Sequence, residues 1–216
     1  MAGILIYGTG SPILVDVEES LSRAAVPIAG AVRNRPGACY LTDKKLLVDE
    51  ADLAKLLVLP FIIPLFTPGH RKAALAEANA KGYATPFSLI DPTSIVPEAA
   101  LFGPGTYVNA GCTLGAAGEF GAFTFINRGS AIGHHFTCGE FTSIGPGAVI
   151  GGQVTLGRGA FVGAGAVLLP RITVGDNAVL GAGAVVTRDV PAHCLVAGNP
   201  ARVVKKPVAG YNDLGV

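Results

Sequence analysis

The 216-residue chain has no tryptophan, one methionine and only 14% charged residues. With a net charge of +1, it can present neither a broad basic face for nucleic acid nor an acidic tail. Half the residues are apolar, which argues against disorder. The four cysteines, Cys39, Cys112, Cys138 and Cys194, form no CxxC pair or other close metal spacing, so no metal site is expected. The longest strongly apolar run, residues 56–66, contains two prolines and is too short to span a bilayer. The opening MAGILIYGTGSP lacks the basic start and small-residue cleavage pattern of a signal peptide, and the expected compartment is cytoplasmic. Lysine is missing altogether from residues 83–204.

Glycine, by contrast, is in excess. Of 30 glycines, seven lie in residues 1–95 and 23 in residues 96–216, without the period of three that collagen requires. A different period organises them. Every sixth residue from Val96 to Val186 is apolar, at all 16 positions, and glycine follows 11 of these. Small or β-branched residues such as Thr106, Cys112, Ser130 and Ala148 recur two positions before the next apolar residue. Neither an amphipathic helix nor an alternating strand has period six. A solenoid with short edges and tight corners does: one apolar side chain per hexad points inward, and glycine serves corners of unusual backbone angle or close approach. Cys112 and Cys138 fall at inward or near-inward positions and read as core residues, not nucleophiles.

The first part of the chain reads differently. ILIYGT is a buried strand, residues 13–25 a helix entered through Ser11-Pro12, PIAGAV (27–32) a second strand, LVLPFII a third, and residues 69–82 a helix ending at Gly82. Strand–helix–strand alternation predicts a small parallel α/β unit, Rossmann-like in outline. Gly8-Thr9-Gly10 is either a phosphate-cradling turn at a helix start or a plain tight turn. The full dinucleotide fingerprint is absent, because Ile13 stands where its third glycine belongs.

The hexad pattern resembles the hexapeptide-repeat acyltransferases, whose left-handed parallel β-helix takes 18 residues per triangular coil. That template implies slightly more than five coils and a homotrimer with sites between subunits. The two halves together are similar to the sialic acid O-acetyltransferase family, which includes N-acetyltransferases of nucleotide-linked amino sugars. The residues carrying this likeness are Ile4 to Gly10, Arg71, Leu89-Ile90-Asp91-Pro92, Ile126 to His134, Pro146-Gly147-Ala148, Gly151-Gly152 and Ala197-Gly198-Asn199-Pro200-Ala201. Three departures stand out. Ser11-Pro12-Ile13 replaces the family's Gly-His-Gly, Val32-Arg33-Asn34 replaces its base-contacting acidic pair, and His135 replaces the acidic residue after its catalytic histidine.

The resemblance implies a division into a substrate-binding α/β domain (1–90), a β-helix (91–192) and a C-terminal extension completing the CoA site (193–216). His134 would be the general base for direct acetyl transfer from acetyl-CoA to the amine of a nucleotide-linked sugar. His135 would orient it, with Glu119 or Glu140 as candidate carboxylates. Gly152, 18 residues on from His134, would leave room for the acetyl group and donate its N–H to the thioester carbonyl. Ser143, Ala164 and Ala182 match positions that contact the cofactor, and Gly8, Gly10, Ser11 and Asn34 are the substrate-binding candidates. Arg202, Lys205 and Lys206 are either phosphate contacts or a solvated basic face. Three alternatives share this frame: sugar O-acetylation, a non-catalytic β-helix used for assembly, and a metal-dependent hydratase. The adjacent pair His134-His135 does not supply the metal spacing that the hydratase needs.

Overall fold

A computed structural model describes residues 3–216, apart from the side chains of residues 50 and 51. Ile4–Tyr7 (β1) is buried at all four positions, as a strand covered on both faces must be. Ile28–Val32 (β2) and Phe61–Ile62 (β3) pair parallel on either side of it, giving the order β2-β1-β3. Leu14–Arg23 (α1) buries Leu14, Val17 and Leu21, a stripe at helical spacing. Pro68–Ala80 (α2) begins with proline in its first turn, where a missing N–H costs nothing. The third strand is shorter than LVLPFII suggests, since Val58 is 83% exposed and Pro60 has no ladder N–H to give.

From Leu89 onward the chain is a β-solenoid of about 6 turns. Its strands are two residues long, and the second residue of each, from Phe102 to Val186, is the inward apolar residue of the hexad. Successive turns pair parallel at a spacing of 18, as in Ala131 with Val149 and Thr137 with Thr155. The first strand, Leu89–Ile90, pairs with Tyr107–Val108, so the register starts one hexad before Val96 and the turns exceed the expected five. The last turn is two residues short, with Val179 opposite Leu195. A final strand, Arg202–Lys205, returns antiparallel and closes this edge.

Corner glycines do two separate jobs. The glycine after each inward residue sits under the next turn: a Cβ on Gly115 would stand 2.4 Å from the His134 nitrogen. The left-handed backbone angle falls two residues later, at Gly129, His135, Phe141 and Gly147 among others, so close approach explains the hexad glycine and φ does not.

Three faces result. One carries Leu89, Tyr107, Phe125, Ser143, Phe161 and Val179, all buried. The α/β unit lies on it. A second presents Thr113, Ala131, Val149, Val167 and Val185, and a third Leu101, Glu119, Thr137, Thr155 and Thr173. Two polar bolts fix the α/β unit. Asp91 is fully buried and accepts from Ser20 Oγ (2.6 Å), Arg23 Nη2 (2.6 Å) and Thr93 Oγ1 (2.6 Å). Arg71, also buried, donates to the carbonyls of Phe123 (2.7 Å), Phe141 (2.9 Å), Leu65 (2.5 Å) and Phe66 (3.0 Å).

Candidate active site

His134 and His135 occupy the corner after Ile132, where side chains leave the filled interior, and both are exposed. His135 has φ 54°, and its ring lies against that of its neighbour. The two Nδ1 atoms lie 3.0 Å apart, with ring centroids 5.2 Å apart and planes at 89°. One turn on, Gly152 faces the other end of the His134 ring: a Cβ there would stand 2.6 Å from Nε2. Glycine is thus the residue that leaves space beside this nitrogen. Glu140 is drawn to Arg158 (3.7 Å), and His134 Nδ1 shares its hydrogen bond with the neighbouring imidazole, not with either candidate carboxylate.

Ala164 and Ala182 are exposed on a different edge, one turn apart. They line a groove of about 340 Å³ with Phe66, Pro146, Phe161 and Tyr211. The C-terminal segment builds one wall of it, since the Tyr211 ring stacks on Phe161 at 3.5 Å. Small side chains over glycine corners leave room for a thin, flexible chain such as a pantetheine arm. Ser143 does not join them. It is fully buried, and its hydroxyl donates to the Phe66 carbonyl (2.6 Å) and accepts from Arg71 Nη2 (3.0 Å). Its place in the repeat is that of Phe125 and Phe161, on the face covered by the α/β unit, and not that of the corner residues Ala164 and Ala182. Arg202 and Lys205 are exposed, with Lys205 near Asp213 (3.4 Å).

The substrate-binding candidates converge in part. Gly10 and Asn34 line a pocket of about 240 Å³ at the carboxyl end of the small sheet, with Arg35, Pro36, Ala38, Leu65 and His70. Gly8 lies just beneath, at φ +101°, where a Cβ would meet Asn34 Oδ1 at 3.2 Å. Ser11 contributes its carbonyl to the start of α1 and stands outside this lining. Arg35 and His70 bring positive or protonatable groups that strand and helix patterning alone does not single out. His70 is in the first turn of α2, where helix N–H groups favour an anion.

Comparison with known proteins matches the repeats and the fold. The family described as bacterial transferase hexapeptide (six repeats) matches residues 137–170 and 153–188. The matched repeats lie within the solenoid, and over them the chain is similar to the hexapeptide-repeat acyltransferases. A sequence comparison with curated proteins finds no match. Among solved structures, a histidine-to-alanine variant of GDP-perosamine N-acetyl transferase from Caulobacter crescentus, in complex with CoA and GDP-perosamine, is 28% identical. It superimposes with a TM-score of 0.85 over 95% of this chain and 98% of its own. The acetyltransferase domain of PglB from Neisseria gonorrhoeae, in complex with acetyl coenzyme A, shares the fold at 24% identity and a TM-score of 0.83, over 94% of this chain and 99% of its own. WeeI from Acinetobacter baumannii shares it at 21% and 0.73, over 94% and 99%.

Proposed function

We propose that the chain transfers the acetyl group of acetyl-CoA to the amino group of a nucleotide-linked sugar, with His134 as general base. The observation that carries this reading is the His134 corner. Nε2 faces the space that Gly152 leaves open, while Nδ1 is held by His135. Of two neutral imidazoles sharing an Nδ1–Nδ1 contact, one donates and the other accepts. A base at Nε2 needs its proton on Nδ1, so His134 donates and His135 accepts with its own proton on Nε2. As the amine attacks the thioester carbonyl, His134 Nε2 takes the ammonium proton, and the imidazolium still donates to His135. The Gly152 N–H, at the same corner, is the donor for the developing oxyanion. Collapse of the tetrahedral centre breaks the C–S bond and releases CoA thiolate, which gains a proton.

The α/β pocket would hold the nucleotide, its diphosphate beside Gly10, Arg35 and His70. The groove at Ala164 and Ala182 would hold the pantetheine arm. The His134 corner and this groove lie on separate edges with the Val149 face between them. We therefore place the complete site between adjacent chains of a homotrimer.

Release of free thiol from acetyl-CoA, measured with UDP-, GDP- and dTDP-linked amino sugars and with sialic acid, tests the reaction and its acceptor. His134→Ala is expected to lower kcat by about 10²–10⁴-fold with the fold intact. A variant that keeps most of its rate at saturating substrate rules this base out. Thiol release with sialic acid alone would point to hydroxyl acetylation.

A further inference from the structure

Asn34 in the pocket wall is held in one orientation by charge. Its Nδ2 donates to Glu77 Oε2 at 3.0 Å, and Arg35 Nη2 donates to Glu77 Oε1 at 3.0 Å. A carboxylate accepts only, so the amide nitrogen must face Glu77 and Oδ1 must face away from it. Oδ1 lies on the Gly8 side, at the strand ends that border the pocket. Partial burial pushes the Glu77 carboxyl up, but hydrogen bonds from Asn34 and Arg35 outweigh this and hold it below its ordinary value. Glu77 is therefore held in its carboxylate form near neutral pH.

The pocket lining mixes polar and apolar groups. Gly10 and His70 mark the helix starts, where phosphate is favoured. In parallel α/β units the first strand–helix turn takes phosphate and the end of the second strand reads the nucleoside. Asn34 is at that second position, two residues beyond β2. Pro36, Ala38 and Leu65 supply apolar walls to the same pocket, suited to the faces of a flat ring.

We propose that Glu77 is a positioning residue that sets nucleobase choice: by fixing Asn34 with Oδ1 toward the ligand, it favours bases with a ring N–H, namely guanine, uracil and thymine, over cytosine and adenine. This rests on the nucleotide-sugar reading above. The substitution Glu77→Gln tests it through a specific consequence. Arg35 can only donate, so it claims the new amide oxygen. The new amide nitrogen then faces Asn34, which must turn over and present Nδ2 to the ligand. Preference should pass to bases whose ring nitrogen accepts.

The experiment is calorimetric binding of GDP, UDP, dTDP, CDP and ADP to the full chain and to Glu77→Gln, with melting temperature as control. The unsubstituted protein should bind the best of the first three about tenfold more tightly than CDP or ADP. Glu77→Gln should erase or invert that ratio at unchanged melting temperature, Glu77 being a surface residue at 36% exposure. Equal binding of CDP or ADP by the unsubstituted protein overturns the proposal. So does a variant that keeps the original ratio, or loss of discrimination for 2′-deoxynucleotides alone, which would assign Oδ1 to the ribose. Failure to bind any nucleotide overturns the parent reading as well, and the two failures are thereby told apart.

Discussion

At the scale of single residues the informative pair is His134 and His135. An imidazole, where the family it resembles has a carboxylate beside the proposed base, carries no fixed negative charge and offers a hydrogen-bond acceptor whose tautomer matters. Replacing His135 with alanine should leave Nδ1 of His134 unheld and lower kcat about tenfold, with little change in KM for either substrate. His135→Asn should recover much of the loss. Asparagine tolerates a φ near 54° and offers an amide oxygen to the same Nδ1. A His135→Ala enzyme as fast as the parent would show that Gly152 and the corner backbone orient the base unaided. The residues of this corner were legible in the sequence because spacing of 18 ties His134 to Gly152. Ser143, by contrast, stands 21 residues before Ala164 and shares its repeat position with Phe125 and Phe161, so it falls on the face that the α/β unit covers, at 0% exposure. Arg35 and His70 carried no periodic signal, and Glu77 reads as an ordinary helix-surface residue until Asn34 is seen against it.

Among elements, α1 and the first solenoid turn are joined through Asp91. Burial raises the Asp91 carboxyl, but donors on Arg23, Ser20 and Thr93 override this and hold it well below the usual carboxylate range. Folding thus depresses Asp91, so the unfolded chain takes up its proton first as pH falls. The stabilisation is complete above the ordinary carboxylate value near 4 and is lost progressively below it. Asp91→Asn should cost about 2 kcal/mol at pH 7, toward the low end for a broken buried pair because Arg23 stays 35% exposed. The melting temperatures of the two proteins should converge between pH 4 and lower values (about one unit or more below); a gap that stays constant with pH would mean that the loss is one of packing, not of charge. The strands and helices flanking this junction follow from local pattern. α1 was expected over 13–25 and runs Leu14–Arg23; α2 was expected over 69–82 and runs Pro68–Ala80. The hexads gave each solenoid strand its inward residue. What local pattern did not carry was the extra turn begun at Leu89, the two-residue deficit before Leu195, and the 3-10 turns at Lys44–Leu46 and Glu50–Leu56.

For the whole molecule, the arrangement of faces sets how a complete site could form. The α/β unit covers one face. The next carries Val149, Val167 and Val185, with Val149 48% exposed, and it separates the His134 corner from the Ala164–Ala182 groove. In a cyclic trimer each interface is heterologous, so one chain can offer its corner to the groove of the next. Two inactive variants then become a test of geometry. His134→Ala lacks the base and keeps the groove, and Ala182→Trp fills the groove and keeps the base. Each alone should be inactive in thiol release while its solution mass remains that of a trimer. Unfolded together in equal amounts and refolded, they form rings in which a corner and the adjoining groove come from independently drawn chains. Both are intact at about one interface in four, so about a quarter of the parental activity should return. Mixing the folded variants without exchange should return none. If base and groove instead belonged to one chain, every site in the mixed rings would carry a defect from its own chain, and refolding together would restore nothing.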